Sequence, residues 1–284
     1  MAGDLYLVAT PIGNLEDITL RALRILREEV QIIACEDTRQ TQKLLTHFDI
    51  RKPLISYHEH NETAQTEHLL HALSRGESVA LVSDAGTPLV SDPGYRVVTA
   101  AVADGYRVVP IPGASAVLAA LGGSGLPTDS FRFIGFLPPK SGSRRKALEA
   151  LAADPSTLIA YESPHRILES LEDIGQVLGE RQIALARELT KIHEEFLRGS
   201  ADSIRKELES RGTPKGEITL VIGRSSEKAA ITDARAEVER LTNELSLDRM
   251  EAIKLVAKQL GLPKQEVYRR VAVPGSSSPG KRRD

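Results

Sequence analysis

Several ionisable side chains follow short apolar segments of the chain and could act as general bases. Carboxylates and imidazoles accept protons in catalysis, whereas a lysine does so only when burial depresses its pKa. At strand ends, carboxylates could also bind a hydroxyl group of a ligand. Five residues are therefore candidates for a catalytic base: Glu36, Asp37, His58, Glu188 and Lys191.

Some of these positions have a simpler interpretation. Glu36 and Asp37 could cap the next helix through Thr38, which is the commoner role for such residues. The segment His58-Glu-His-Asn61 could place two imidazoles on one side of a strand, but a metal site needs a third ligand and the sequence marks none. We therefore predict a polar loop and no metal there.

The segment Val79 to Gly94 carries the clearest sign of a ligand site. Its first four residues are apolar, as in a buried parallel strand, and they lead into a small, polar loop that contains Gly86. In open α/β sheets, ligands bind at the carboxyl ends of strands. Because glycine has no Cβ, a ligand could approach the backbone closely. A plain strand-to-helix turn is the alternative.

The same pattern recurs along the chain, and this favours a ligand site over an isolated turn. Each further apolar run ends in small, polar or helix-starting residues. Several such loops along one sheet edge would build a site from backbone donors and small side chains. These further runs are 5–8, 108–109, 157–160 and 183–186.

The order of strands and helices predicts the domain organisation. Strands and helices alternate through residues 1–121, which is typical of a doubly wound α/β domain. After a glycine-rich stretch, residues 122–226 are predicted to form a second α/β domain with more antiparallel pairing. Residues 232–273 carry helical apolar stripes, and residues 274–284 are predicted to be a disordered tail.

The C-terminal helical unit has two interpretations. Asp248 can cap its second helix, and a turn at 261–264 leads into a short basic helix. Helix, turn and basic helix resemble a helix-turn-helix that contacts nucleic acid. A three-helix cap packed on the body of the protein is the alternative.

Composition excludes several classes of protein. Only 4% of the 284 residues are aromatic and none is tryptophan, so a surface that stacks many bases is not expected. Cys35 is the single cysteine, so no intramolecular disulfide can form. No membrane-spanning stretch and no signal-peptide pattern occur, which predicts a cytoplasmic protein. The motifs of P-loop and ordinary NAD-binding sites are also missing from the sequence.

Positive charge is concentrated in two places. The net charge is −2, yet residues 246–284 hold nine basic and four acidic residues. A basic end suggests contact with a polyanion, although a solvated helical face would look the same. The cluster 144–146 could hold a phosphate or face solvent. The residues predicted to contact a polyanion are Arg144, Arg145, Lys146, Lys264, Arg269 and Arg270.

Motifs in order along nearly the whole chain resemble the tetrapyrrole methylase family. In the first loop, Pro11-Ile-Gly-Asn14 replaces the Gly-Pro-Gly-Asp of tetrapyrrole-binding members, which argues against a corrin or porphyrin substrate. The matching segments are 5–19, 36–39, 58–61, 83–89, 112–115, 135–138, 161–166, 186–191 and 216–220.

The resemblance implies two α/β domains with S-adenosylmethionine bound in the cleft between them, usually in a homodimer. In this family the cofactor contacts the first-strand loop, the Gly-containing loop, the Pro-Gly loop and two strand ends of the second domain. Carried over to this sequence, the expected cofactor-binding residues are Ile12, Asp84, Ala85, Gly86, Thr87, Val90, Ser115, Ala116, Glu162 and Leu189.

Within the family, the chain resembles the branch that acts on ribosomal RNA. This implies methylation of a cytidine ribose 2′-hydroxyl in 16S ribosomal RNA of the small subunit, with RNA as the polyanion. Such a methyl group moves in line from sulfur to oxygen, so the protein mainly aligns the reactants, and no metal is required. Two alternatives remain. The basic C-terminal end argues against a methyltransferase for a small tetrapyrrole-like substrate, and the many glycine and proline loops argue against a nucleic-acid-binding regulator.

Overall fold

The computed structural model describes residues 2–212, 214–225, 234–244, 247–260 and 262–272. The chain divides into two compact units. The larger unit covers 1–152 and 156–224 and contains both β-sheets, and the smaller covers 153–155 and 225–284. The domain boundaries expected within and after the larger unit stay predictions, and the tail at 274–284 lies outside the described residues.

The first sheet consists of five parallel strands in the order β3-β2-β4-β1-β5. All four residues of its central strand β4 are buried, as an apolar run between two layers of helices requires. Because β1 and β4 are neighbours, the loops that follow them leave the same edge of the sheet. The strands are β1 (Leu5–Val8), β2 (Ile32–Cys35), β3 (Leu54–Ser56), β4 (Val79–Val82) and β5 (Val108–Ile111).

Five α-helices connect or follow these strands. The first of them continues into a π-helical turn at Ile25–Glu29, and a short 3-10 turn precedes it. The helices are α1 (Leu20–Arg24), α2 (Thr38–His47), α3 (Glu62–Ser74), α4 (Tyr95–Ala103) and α5 (Ala116–Ser124).

The second sheet has the order β6-β7-β10-β8-β9, and only β6 and β7 run parallel. The predicted α/β class with antiparallel pairing in the second half is therefore confirmed. The strand β9 was not predicted. The elements are β6 (Phe131–Phe136), β7 (Thr157–Glu162), β8 (Ile183–Arg187), β9 (Glu195–Gly199) and β10 (Ile218–Ile222), with α6 (Ser141–Ala150), α7 (Ile167–Leu178) and α8 (Ala201–Arg211).

Helix α7 shows how sequence spacing builds the second core. Four of its apolar residues recur at intervals of four, three and four, so they lie on one face, and these four are buried against the sheet. Burying each such side chain stabilises the fold by about 1.5–3 kcal/mol. These residues are Ile167, Leu171, Ile174 and Leu178.

The smaller unit contains three helices, α9 (Ala234–Glu244), α10 (Arg249–Leu260) and α11 (Lys264–Ala272). Their apolar stripes form one small core around Val238, Val256 and Val267. Asp248 caps α10, since its Oδ2 accepts a hydrogen bond from the Met250 amide at 2.9 Å. None of the helices in the described part of the chain is long and apolar enough to cross a membrane.

Candidate active site

A cavity of about 360 Å³ lies where the loops of both sheets converge. The loops after β1, β4 and β5 form one side of it. The end of β7 and the start of β10 form the other side, and these meet because the two strands are antiparallel. The lining residues are Ile12, 85–87, 90–92, 115–116, Phe136, 161–164 and 216–219.

The loop after β4 is fixed to the loops on both sides of it. Thr10 and Gly86 exchange backbone hydrogen bonds at 2.9 and 3.0 Å. The Thr87 hydroxyl donates to the Ala114 carbonyl at 3.2 Å, which ties the same loop to the segment after β5. The loop after β4 therefore forms a rigid floor for the cavity.

The backbone of this loop is strained at two positions. Leu89 and Ser91 have φ of +71° and +66°, a region that side chains with a Cβ rarely adopt. Such conformations cost about 1–3 kcal/mol each and persist where the surroundings enforce them, often at functional sites. At Gly86, with φ +84°, a Cβ would lie 3.3 Å from Cγ2 of Ile12. This glycine therefore keeps the cavity open.

The cavity carries negative charge. Asp92, Glu162 and Glu217 line it, and none of its lining residues is a lysine, arginine or histidine. A ligand with a positive group is favoured here, whereas a phosphate is disfavoured because no cation faces it.

Glu162 is fully engaged by the protein. Its side chain is 0% exposed and lies 2.7 Å from Nη2 of Arg166. The Ser170 hydroxyl donates to its Oε2 at 2.6 Å, and the Ser163 amide donates to its Oε1 at 2.7 Å. We conclude that this carboxylate fixes the end of β7.

Asp92 differs because the charged groups that act on it are carboxylates. Burial, together with Glu36 and Asp84, raises the pKa of Asp92 to about 6, against a favourable hydrogen bond from Ser83. Burial and the neighbouring Asp84 and Glu59 likewise raise the pKa of Glu36. A carboxylate that titrates near neutral pH inside a cavity is typical of an acid or base in catalysis.

The structure separates the candidate bases. Asp37 is a helix cap: its Oδ1 accepts from the Arg39 amide at 2.8 Å, and the hydrogen bonds from Arg39 lower its pKa to about 2. His58 does not line the cavity, and its Nδ1 is buried without a hydrogen-bond partner among the described residues. Neither residue is placed to act on a ligand in the cavity.

Lys191 does not have the depressed pKa that a lysine needs to act as a base. Its Nζ donates to Oε1 of Glu188 at 2.7 Å and to Oε2 of Glu217 at 3.0 Å. Although burial opposes it, these hydrogen bonds raise the pKa of Lys191, and the Lys191 hydrogen bond lowers that of Glu188. The lysine therefore stays protonated and braces the cavity wall through Glu217.

Eight of the ten expected cofactor-binding residues line the cavity. Asp84 and Leu189 do not. The Asp84 carboxylate accepts from the Asp37 amide at 3.0 Å and borders a separate groove, and Leu189 is buried beside Ile12. The eight are Ile12, Ala85, Gly86, Thr87, Val90, Ser115, Ala116 and Glu162.

Sequence reasoning missed part of the cavity wall. Asp92, Phe136, Tyr161 and the segment 216–219 were not predicted to be site residues. Asp92 stands only five residues beyond Thr87, in the same loop. Its charged side chain so close to expected cofactor-binding residues was therefore a signal that it could belong to the site. The segment 216–219 begins an antiparallel strand, and only the strand order shows that it returns to the cavity.

The prediction that Arg144 contacts a phosphate is wrong. Its side chain is 0% exposed, and its guanidinium lies 2.7 Å from Oδ2 of Asp173 and donates to the carbonyls of Pro138 and Pro139. A buried arginine of this kind cannot reach RNA. Arg145 also pairs with Asp173, at 2.6 Å, and is partly exposed.

The other predicted basic residues are on the surface. Lys146 is exposed on α6. Lys264, Arg269 and Arg270 are exposed on α11 in the smaller unit. Their positions leave them accessible to a large polyanion.

Comparisons with known proteins show the family of the chain. Residues 4–205 match the family described as Tetrapyrrole (Corrin/Porphyrin) Methylases. "Ribosomal RNA small subunit methyltransferase I" of Halalkalibacterium halodurans is 49% identical over 94% of this chain and 93% of its own length. The protein of the same name from Mesorhizobium japonicum is 52% identical over 94% of this chain and 90% of its own length.

Solved structures share the fold at low sequence identity. The methyltransferase CobJ has a TM-score of 0.60 at 19% identity and covers 79% of this chain and 95% of its own. Uroporphyrin-III C-methyltransferase from Thermus thermophilus, complexed with S-adenyl homocysteine, has a TM-score of 0.54 at 20% identity and covers 78% and 97%. At these identities the likeness concerns the fold alone.

Proposed function

This chain belongs to the tetrapyrrole methylase family, and from that premise we propose that it methylates RNA of the small ribosomal subunit with S-adenosylmethionine as the methyl donor. We further propose that the acceptor is a cytidine ribose 2′-hydroxyl in 16S ribosomal RNA. The observation that carries the proposal of RNA methylation is the identity of about one half, over nearly the whole chain, to relatives named as methyltransferases of small-subunit ribosomal RNA.

The residues of the cavity fit S-adenosylmethionine. Ile12, Val90 and Ile218 offer apolar walls, and Gly86 leaves room beside them. The carboxylates of Asp92 and Glu217 suit the positive charges of this molecule. When bound, it supplies a methyl group on a positively charged sulfur, and the protein holds that group in line with the acceptor.

The charge of the cavity also suits a hydroxyl acceptor. With no cation among its lining residues, the cavity does not favour a phosphate of the RNA backbone. A ribose hydroxyl carries no charge and could enter, while its phosphates stay outside against surface cations. Lys146, in the larger unit, is proposed for those outer contacts, and Lys264, Arg269 and Arg270 of the smaller unit are proposed for contacts with other phosphates of the RNA.

A tetrapyrrole-like substrate is less well supported. Two solved structures named for such substrates, a uroporphyrin-III C-methyltransferase and a cobalt precorrin-4 methyltransferase, are 23% and 16% identical to this chain. The Pro11-Ile-Gly-Asn14 loop also differs from that of tetrapyrrole-binding members.

The test is methyl transfer from tritiated S-adenosylmethionine to three acceptors: small subunits from cells lacking the protein, naked small-subunit RNA, and a tetrapyrrole. We expect label in the subunits or their RNA, at a ribose 2′-oxygen of a cytidine. Label only in the tetrapyrrole, or on a base, would contradict the proposal.

Two further properties belong to the same proposal. Family resemblance supports a homodimer, and the small ribosomal subunit as substrate supports a cytoplasmic location. Sedimentation of the purified full chain would test the first, and fractionation of cells would test the second.

A further inference from the structure

We propose that the carboxylate of Asp92 is the base that accepts the proton of the acceptor hydroxyl. The proposal rests on the function proposed above and assigns a role to a residue outside the expected catalytic set. It depends on where Asp92 lies, on what holds it there and on how the other carboxylates of the cavity are engaged.

Asp92 shares the cavity with the residues proposed to bind the cofactor. It lies in the same loop as Gly86 and Thr87, and all three line the cavity. That loop is pinned at Gly86 by Thr10 and at Thr87 by the Ala114 carbonyl. Asp92 therefore lies in the same loop and lines the same cavity as residues proposed to bind the cofactor.

The backbone around Asp92 is specialised for its position. Leu89 and Ser91 both adopt left-handed conformations, and Gly94 follows with φ +135°. A Cβ on Gly94 would come within 2.6 Å of Leu81 Cδ2, so the chain turns tightly against β4. Side chains with a Cβ adopt such conformations where the structure enforces them, often at functional sites.

The other two carboxylates of the cavity are less able to accept a proton. Glu162 is saturated by Arg166, Ser163 and Ser170. Glu217 pairs with the ammonium group of Lys191 at 3.0 Å. Asp92 is the remaining carboxylate among the described lining residues.

The electrostatic surroundings of Asp92 suit a base that works near neutral pH. Glu36 and Asp84 act on it as negative groups and raise its pKa, whereas Ser83 lowers that pKa. The charge of Asp92 in turn raises the pKa of Tyr161, another lining residue of the cavity. Burial and the two carboxylates hold the pKa of Asp92 at about 6. Such a group is ionised at pH 7 and still basic enough to take up a proton.

The proposed step balances in atoms and charge. The hydroxyl proton passes to an Oδ of Asp92, and the oxygen forms the new bond to the methyl carbon. The bond between that carbon and the sulfur breaks, and its electron pair stays on the sulfur, which becomes neutral. The protonated carboxyl then returns its proton to solvent.

The first test compares Asp92→Asn, Asp92→Glu and Asp104→Asn in methyl transfer to small subunits. Asp104 is an exposed residue at the end of α4 and provides a matched Asp-to-Asn control. We expect kcat to fall about 100- to 1000-fold in Asp92→Asn, partly recover in Asp92→Glu and stay unchanged in Asp104→Asn. The full chain should show an acidic limb near pH 6 in kcat/KM that Asp92→Asn lacks.

The second test needs no activity. S-adenosylmethionine and S-adenosylhomocysteine differ in the positive charge on sulfur, so their binding is compared by calorimetry at pH 6 in buffers of different ionisation enthalpy. A cation beside Asp92 would lower its pKa, and a fall of one unit releases about 0.4 of a proton. We expect this excess release with S-adenosylmethionine, and its loss in Asp92→Asn.

The outcomes separate the two proposals. If the unaltered chain methylates subunits and Asp92→Asn does so at the same rate with the same acidic limb, the role of Asp92 is overturned. Equal proton release with both ligands would overturn it as well, and this readout does not depend on the folding of a variant. If the unaltered chain methylates no RNA, the proposed function itself fails.

Discussion

Asp92 and Glu162 line the same cavity, but their surroundings differ. Asp92 belongs to the first half of the larger unit, which contains strands β1 to β5, and Glu162 belongs to the second half, which contains β6 to β10. Glu162, at the end of a strand in the second sheet, is fully buried and bonded to an arginine, a serine hydroxyl and an amide. Asp92, in a loop of the first sheet, is partly buried, and Glu36 and Asp84 act on it as negative charges. The first is therefore part of the scaffold, and the second is available for chemistry.

The same difference extends through the two halves. In the second half, Arg144 pairs with Asp173, and Lys191 pairs with Glu188 and Glu217. In the first half, the loop after β4 depends on backbone hydrogen bonds and strained conformations instead. We infer that paired charges stabilise the second half, and that the loop with Asp92 is held mainly by its backbone.

The largest effect is expected when a paired charge in the second half is broken. Asp173→Ala would remove the carboxylate 2.7 Å from the guanidinium of Arg144, which is 0% exposed, and would leave only Glu169 at 3.7 Å. Breaking a buried pair costs about 3–5 kcal/mol. Urea denaturation should show a loss of stability of this size.

The matched control is Asp202→Ala, which removes exposed pairs to Arg205 and Lys206. Exposed pairs contribute about 0–1 kcal/mol each. If Asp173→Ala and Asp202→Ala lost similar stability, burial would not explain why the ion pair of Asp173 stabilises the fold.

The next largest effect concerns the floor of the cavity in the first half. Gly86→Val would place side-chain atoms near Ile12 at a backbone position with φ +84°. We expect the affinity for S-adenosylmethionine to fall more than 100-fold, which corresponds to about 2.8 kcal/mol in calorimetry. Normal affinity would remove this loop from the site.

Gly105→Val separates strain from loss of space. Gly105 has φ +78°, similar to Gly86, but a Cβ there would meet nothing within 4 Å. This variant should lose some thermal stability and keep its affinity for the cofactor.

The sequence predicted the loops of the first half well because their strands are local signals. Each parallel strand is a continuous apolar run that ends at a polar loop, so the segment from Val79 to Thr87 indicates both the strand and the loop that lines the cavity. The order of the strands in the sheet depends on contacts between distant segments, and periodicity does not encode it.

The second half was harder to predict for the same physical reason. Strand β9, at the sheet edge, contains Arg198 and Glu195 beside Phe196 and Leu197, so its pattern is mixed. Arg144 looked like a surface cation because the sequence shows its charge and not its distant partner Asp173. Asp92 was overlooked because the sequence does not show that Glu36, in the loop after β2, lies close enough to act on it.

Removing the charge of Asp92 or of Glu162 is expected to change the stability of the folded state by a smaller amount, with opposite signs for the two residues. The pKa of Asp92 is raised from 3.8 to about 6 on folding, so its protonated form is favoured in the folded state. The stability that protonated Asp92 contributes to the folded state is present in full below pH 4 and is lost as the pH rises through about 6. Above pH 6, Asp92→Asn should therefore be more stable than the unaltered chain, by about 1–3 kcal/mol.

Glu162→Gln is the counterpart on the second sheet. It would remove the charge that Arg166 faces and disturb hydrogen bonds of a buried group. At pH 7 we expect a loss of about 1–3 kcal/mol. Urea denaturation at pH 4 and pH 7 would measure both variants, and the same sign for both at pH 7 would end the distinction between the two carboxylates.

The smallest effect is expected outside the larger unit, on helix α11. Lys264, Arg269 and Arg270 are exposed there, and the two arginines lie 3.8 and 3.2 Å from Glu266. Such exposed pairs are weak, so the cations remain available to RNA phosphates. Replacing all three by glutamine should weaken binding to small subunits about tenfold and leave the affinity for S-adenosylmethionine unchanged.

Salt dependence distinguishes phosphate contacts from a general change of charge. Each lost phosphate contact lowers the slope of log affinity against log salt by about 0.7–0.9. The control is the glutamine triple variant of Arg205, Lys206 and Arg211 on α8, which removes the same charge from residues held by carboxylates. A reduced slope in the α11 variant alone would identify α11 as an RNA contact. If the α11 and α8 variants had equal slopes, α11 would act only through the net charge of the protein. A direct phosphate contact on α11 would instead lower the slope in the α11 variant and not in the α8 variant.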